Sequence, residues 1–340
     1  MPDLMQQLET LAATLPPLDE GMRLFGARIA AATPPEAVDW PLERQRTAWD
    51  EVCRSFRAPR PSGVSVEDIE IPGPGGPLAL RLYRPAGAGL KPGLLYFHGG
   101  GWVLGSLETH DDMCAEMAAG ADVVVVALDY RLAPEHPHPA QYEDSRAALA
   151  FVLEHGAAYG LDTTRLIAGG DSAGGQMAAG LALALRDEGR SDLKGQVLIY
   201  PVLAAEMTTP SYRVNAQAPS LSRAEMEYYL HVFLGRPGSP AWSDKRALPL
   251  LEIDYTNLPP AFLTAAGHDP LHDEPLIFAE RLRKAGIAVA VRREPALGHS
   301  YMRARGMSAP AAAGFAAIVE AIRALAWEGR PPASAAGAGE

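Results

Sequence analysis

At 340 residues, 48% of them hydrophobic and 21% charged, the chain has ordinary globular composition and is long enough to bury a large core. Its formal net charge of -11 argues against nucleic acid as a partner, because phosphate binding needs clustered Lys and Arg. Two cysteines, Cys53 and Cys114, are too few for a disulfide framework; with no signal pattern and no apolar run of membrane-spanning length, a cytoplasmic protein without stable membrane insertion is expected.

Leu4, Leu8, Leu11 and Leu15 recur at helical spacing, Met22, Phe25 and Ile29 repeat it after Pro16-Pro17, and a third helix is predicted over 41–56. This helical segment, residues 1–60, precedes any strand it could pack under and is expected to fold over the body as a cap. Val66 to Ile71 and Leu78 to Tyr83 flank Pro72-Gly73-Pro74-Gly75-Gly76 and read as an antiparallel hairpin at a sheet edge. Six short apolar strands follow, over 94–97, 122–128, 165–168, 196–200, 261–266 and 288–294, with helices predicted over 109–119, 140–155, 173–186 and 275–285. Strands apolar along their whole length are buried on both faces. The fold class is therefore α/β, a mostly parallel eight-stranded sheet with helices on both faces. The α/β domain runs over 61–207 and resumes over 241–328. Between them, 208–240 interrupts the alternation as a second cap element with one predicted helix, 223–233. A last helix covers 309–327, and the Pro/Ala/Gly tail 329–340 is expected to fray.

Two motifs sit at predicted strand ends. Gly170-Asp171-Ser172-Ala173-Gly174 joins a strand to a helix, and His98-Gly99-Gly100-Gly101 follows Leu94 to Phe97. Chance alone supplies the first about 0.14 times and the second about 0.008 times in a chain of this composition, so their joint occurrence carries the argument. A serine on such a turn stands exposed at the carboxyl end of a sheet. Its hydroxyl is a poor nucleophile until a base takes the proton, and the base needs an acid to hold its tautomer. Asp269, just past strand 261–266, and His299, just past strand 288–294, fill those places in the order nucleophile, acid, base. Asp273 and Glu274 are the rival acids but lie where the next helix begins, and His268 and His272 share the acid's own loop. Gly99, Gly100 and the N–H of Ala173 are the predicted oxyanion donors, since glycines present backbone N–H groups without side chains in the way.

Other conspicuous residues read as structural. His136 and His138, between prolines and without a third ligand, suggest a rigid surface loop rather than a metal site. Asp129 and Arg131 read as a loop-fixing ion pair, Glu143 and Asp144 as early helical residues, and Trp102 equally as a pocket wall or a core anchor.

The chain resembles the hormone-sensitive-lipase-like branch of the α/β-hydrolase esterases. The resemblance rests on His98 to Gly101, the run Asp129-Tyr130-Arg131-Leu132-Ala133-Pro134-Glu135-His136-Pro137, Gly170 to Gly174, and Asp269-Pro270-Leu271 with Asp273-Glu274. It implies an α/β-hydrolase fold with a helical cap, Ser172 as nucleophile, Asp269 as acid, His299 as base, and Gly99, Gly100 and Ala173 around the oxyanion. It also implies short- to medium-chain esters as substrates, with no metal or organic cofactor. Gly267-His268 before the acid and Ser300-Tyr301 after the base depart from the family's usual residues, which bears on pocket shape. The same triad could cleave amides or lactones, a disabled frame could serve as a ligand receptor, and a homodimer is left open. A small-molecule ester is the expected partner.

Overall fold

The computed structural model describes residues 2–333; the last seven residues of the tail expected to fray lie outside them. Eight strands form one sheet: β1 (Val64–Gly73), β2 (Gly76–Pro85), β3 (Lys91–Phe97), β4 (Val124–Asp129), β5 (Leu161–Asp171), β6 (Leu193–Ile199), β7 (Ala261–His268) and β8 (Val289–Gly298). Their order is β1-β2-β4-β3-β5-β6-β7-β8. The hairpin β1/β2 is antiparallel and lies at one edge, and β2 pairs antiparallel with β4 rather than with β3. Every other pairing, from β4 through β8, is parallel. One consequence matters for chemistry: the carboxyl ends of β3, β5, β7 and β8 all open onto the same rim.

Alternation along the strands feeds two apolar layers. In β4, Val124, Val126 and Leu128 join the layer that holds Leu149, Leu181 and Phe278. Val125 and Ala127 join the opposite layer with Met117, Ile318 and Ile322. The described residues form ten α-helices: α1 (Pro2–Ala13), α2 (Glu20–Ala32), α3 (Leu42–Ser55), α4 (Asp111–Ala121), α5 (Ala140–His155), α6 (Ala173–Asp187), α7 (Pro210–Val214), α8 (Arg223–Leu234), α9 (Asp273–Lys284) and α10 (Ala309–Glu328). The five-residue α7 leaves too short a pattern to read from sequence. By length and mean composition α10 is also apolar enough to cross a membrane, although Glu320 and Arg323 interrupt its apolar run. Here Ala311, Ile318, Ala321, Ile322 and Leu325 of α10 are packed in the second layer.

The N-terminal helices reach the rim where the strands end. Asp19 caps α2 by accepting the N–H of Met22 at 3.2 Å, and Phe25 on the buried face of α2 meets Phe56 with ring centroids 4.8 Å apart. Arg46 on α3 donates to the carbonyl of Val103 at 2.9 Å and forks onto Glu135 with two bonds of 2.8 Å. That bidentate clamp fixes α3 over the loops that follow β3 and β4. α8 starts in a capping box, with Ser222 and Glu225 satisfying each other's backbone N–H groups.

Candidate active site

The turn from β5 into α6 holds Ser172 at φ 55°, ψ -117°, a conformation that a serine adopts only under strain. Close packing enforces it. A Cβ on Gly174 would lie 1.9 Å from the carbonyl oxygen of Phe97, so the helix start can press against the end of β3 only if that residue is glycine. Ser172, His299 and Asp269 are all buried. His299 Nδ1 is 2.6 Å from Asp269 Oδ2, and His299 Nε2 is 3.0 Å from Ser172 Oγ. A carboxylate can only accept, so the ring proton sits on Nδ1 and leaves Nε2 free to accept the serine's O–H. Asp269 Oδ1 also takes the N–H of Leu271 at 2.9 Å, which holds the carboxylate in place.

The rival side chains are engaged elsewhere. Asp273 accepts from the N–H of Ser211 at 2.8 Å, and Glu274 accepts from the N–H groups of Leu203 and Ala204 and from the phenol of Tyr212. Burial pushes Glu274 up to about 8 despite those donors. His268 meets the carbonyl of Pro16, and His272 lies beside Asp273. Both acids therefore bind the 208–240 insertion, or the strand end before it, to the loop that carries Asp269.

The glycine loop requires a correction. The N–H of Gly99 donates to Asp171 Oδ1 at 3.0 Å, so it is already spent and is not free to meet an oxyanion. The N–H groups of Gly100 and Gly101 have no acceptor among the described residues, and that of Ala173, first in α6, has no intrahelical one. A run of three glycines does not reveal which N–H its surroundings consume. Gly100 sits at φ 131° with a Cβ position 2.2 Å from the carbonyl oxygen of Leu104, so only glycine fits there.

Asp171 is a functional neighbour that the motif reading passed over. Buried beside Ser172, it takes the phenol of Tyr96 at 2.7 Å as well as the N–H of Gly99, and His110 Nε2 lies 3.1 Å away. Arg303 closes the group, 2.9 Å from the same ring nitrogen of His110 and donating to the carbonyl of Thr109 at 2.6 Å. Burial works to raise the Asp171 carboxyl, but His110, Arg303 and Tyr96 outweigh it and hold it well below the usual carboxylate range. A charge at the end of an otherwise apolar strand was the available signal.

Two structural expectations are also corrected, and one left open is settled. Arg131 pairs with Asp144 and Glu143, not with Asp129, because the chain turns back toward α5 after β4. His138 is not a surface residue: its ring is buried against Phe233 and lies 2.9 Å from Asp244. Trp102 is a core anchor, fully buried, stacked on Phe233 at 4.0 Å and donating to Gln176 at 2.8 Å. Among the described residues no cluster of His, Cys, Asp and Glu is arranged to hold a metal ion.

Above Ser172 opens a cleft of about 850 Å³, counting its open mouth. Its walls combine Ile29, Val38 and Trp49 from the N-terminal segment with Leu221, Met226 and Tyr229 from the insertion. Mostly apolar walls over a few convergent polar groups suit a small organic substrate.

Comparison with known proteins gives the same picture. The profile of a family described as alpha/beta hydrolase fold matches residues 94–303. Esterase LipI of Mycobacterium tuberculosis is 39% identical over 259 residues, which cover 74% of this chain and 79% of that protein. Ethyl acetate hydrolase of Pseudomonas putida is 37% identical, over 72% of this chain and 78% of its own. Among solved structures, the ester-hydrolase EH1AB1 from the metagenome of Lake Arreo, complexed with a derivative of bipyridine phosphonate, superposes with a TM-score of 0.85 at 35% identity. The match covers 90% of this chain and 98% of that one. A serine turn, an imidazole, a carboxylate and a glycine loop on one rim of such a sheet, in a chain with these relatives, mean that it belongs to the α/β-hydrolase family, in its hormone-sensitive-lipase-like branch, and is a carboxylic ester hydrolase.

Proposed function

We propose that Ser172 is the nucleophile of a two-step ester hydrolysis, with His299 as base and Asp269 as its orienting acid. The observation that carries this is the position of the His299 ring, 2.6 Å from the carboxylate on one side and 3.0 Å from the hydroxyl on the other. As Oγ attacks the ester carbonyl carbon, His299 Nε2 takes the serine proton, and the carbonyl oxygen becomes an oxyanion facing the free N–H groups of Gly100, Gly101 and Ala173. The C–O bond to the alcohol then breaks, His299 returns the proton to the leaving oxygen, and an acyl-serine remains. Water deprotonated by the same ring attacks that ester; the acyl C–Oγ bond then breaks, His299 returns the proton to Oγ, and the acid leaves with Ser172 regenerated. Asp269 stays ionised throughout and stabilises the imidazolium. Loss of one oxyanion donor in such a site costs about 10²- to 10³-fold in rate.

The substrates are short- to medium-chain carboxylic esters. The bounded cleft and the similarity to an ethyl acetate hydrolase support this. Residues 1–60 and 208–240 act as the cap, a reading supported by the cleft-wall side chains that both supply. The test is a series of p-nitrophenyl esters from acetate to palmitate on the wild-type protein. Activity is expected to be highest at C2 to C8 and to fall steeply beyond; undiminished turnover of palmitate would contradict the chain-length assignment.

A further inference from the structure

Three carboxylate or guanidinium groups line the catalytic cleft: Asp171, Glu225 and Arg303. Asp171 and Arg303 both bear on His110 and offset one another inside the wall. Glu225 has no such partner. Its Oε2 accepts the N–H and the O–H of Ser222 at 2.7 and 2.6 Å, and its Oε1 takes no hydrogen bond from the described residues. Capping α8 thus occupies one oxygen of this half-buried side chain and leaves the charge unneutralised on the cleft wall.

Its place along the wall follows from the helix. Tyr229 lies one turn beyond Glu225 on α8, and both line the cleft together with Met226. The Tyr229 ring rests on the glycine loop: a Cβ on Gly101 would be 2.5 Å from Tyr229 Cγ. Residues four apart on a helix share a face, so the Glu225 carboxylate overhangs the same side of the cleft as the free N–H groups of Gly100 and Gly101. The Tyr229 phenol is pushed up first by burial and next by the Glu225 charge, which agrees with that proximity.

We propose that Glu225 is a specificity-determining residue that selects substrates by charge, favouring neutral and cationic esters over esters bearing a second, anionic group. This rests on the esterase reading above and adds the substrate's charge class to it. A charge in a partly solvated wall acts over several ångströms and is screened by salt, so the selection is worth about three- to tenfold in kcat/KM at low ionic strength.

The test uses two trios of p-nitrophenyl or alkyl esters matched in length, each with a neutral, a carboxylate and a trimethylammonium member. One trio carries the group at the far end of a six-carbon acyl chain, the other on the alcohol. Glu225→Gln keeps an acceptor for the capping box and removes the charge. In at least one trio the anionic-to-neutral ratio of kcat/KM should rise about three- to tenfold in E225Q, while the cationic-to-neutral ratio falls by a similar factor. Loosening of the helix alone would move all three members together, and that result, or unchanged ratios in both trios, would overturn the assignment. Should E225Q not fold, the wild-type protein gives the same answer through salt: between 10 and 500 mM NaCl, as reagent concentrations on the order of the screening range, both ratios should converge toward one. Ratios indifferent to salt would overturn the proposal. Failure of the wild type to hydrolyse even the neutral esters would instead sink the esterase reading beneath it.

Discussion

Two buried carboxylate–imidazole pairs flank Ser172, and they differ in where the second ring nitrogen points. In Asp269–His299 the far nitrogen faces the serine hydroxyl at 3.0 Å. In Asp171–His110 the ring's other nitrogen meets the hydroxyl of Thr109 at 2.8 Å, and Arg303 sits at 2.9 Å from the nitrogen that faces Asp171. Both pairs are built from the same chemistry, but only the first leaves a ring nitrogen facing a serine hydroxyl. The second has every position filled, and its carboxylate is spent holding the Gly99 N–H and the Tyr96 phenol. The difference teaches that an Asp–His pair becomes an acid–base device through an open end; when closed on all sides, it is a scaffold for the loop beside the nucleophile.

The largest effects should fall on the open pair. Ser172→Ala is expected to lower kcat/KM on a p-nitrophenyl ester by about 10⁴- to 10⁶-fold, and Asp269→Asn by about 10⁴-fold through the wrong tautomer of His299. Circular dichroism should show both variants folded. A rate within tenfold of wild type for either would break the comparison at its catalytic half. Gly100→Ala comes next: at φ 131°, with a methyl directed 2.2 Å from a carbonyl oxygen, it should displace the glycine loop and cost about 10²- to 10³-fold in kcat.

The closed pair should answer mainly in stability. Asp171→Asn removes the charge that offsets Arg303 and should destabilise the fold by about 3 to 5 kcal/mol in urea unfolding, with a smaller rate loss than Asp269→Asn. The sign of its pH dependence follows from the depressed folded-state titration of Asp171. The stability it contributes is present above about 3.9, the unfolded value, and is lost as pH falls, so the variant should show a flatter acid limb than wild type. Glu274 should act in the opposite sense. Its carboxyl is raised to about 8, so its contribution is present at pH 4 or so and is lost as pH climbs toward 8. Glu274→Gln should flatten that decline in unfolding curves taken across the interval; an unchanged slope would place the group in water.

Much of this was legible in the sequence, for a physical reason. Parallel strands buried on both faces read as uninterrupted apolar runs, and chemistry collects where such runs end, so Ser172, Asp269 and His299 could be named from their places after three strands. The first two helices of the N-terminal segment were equally plain from the spacing of Leu4, Leu8 and Leu11 and of Met22, Phe25 and Ile29. What escaped depends on contacts between distant residues. Asp171, His110 and Arg303 come from the end of β5, the approach to α4 and the turn after β8, and no local pattern joins them. The choice between Gly99 and Gly101 as a donor turned on that same carboxylate, and the partner of Arg131 turned on how the chain folds back over α5. Strand order escaped as well: the pairing of β2 with β4 is set by the crossover, which leaves no mark in either strand.

The most direct test of the central claim is covalent labelling of the native protein with a p-nitrophenyl phosphonate, followed by peptide mass spectrometry. One adduct per chain, on the peptide containing Ser172, is predicted to form in step with the loss of esterase activity and to be absent in Ser172→Ala. Complete inactivation with the label on another residue, or full activity in protein labelled at Ser172, would contradict it.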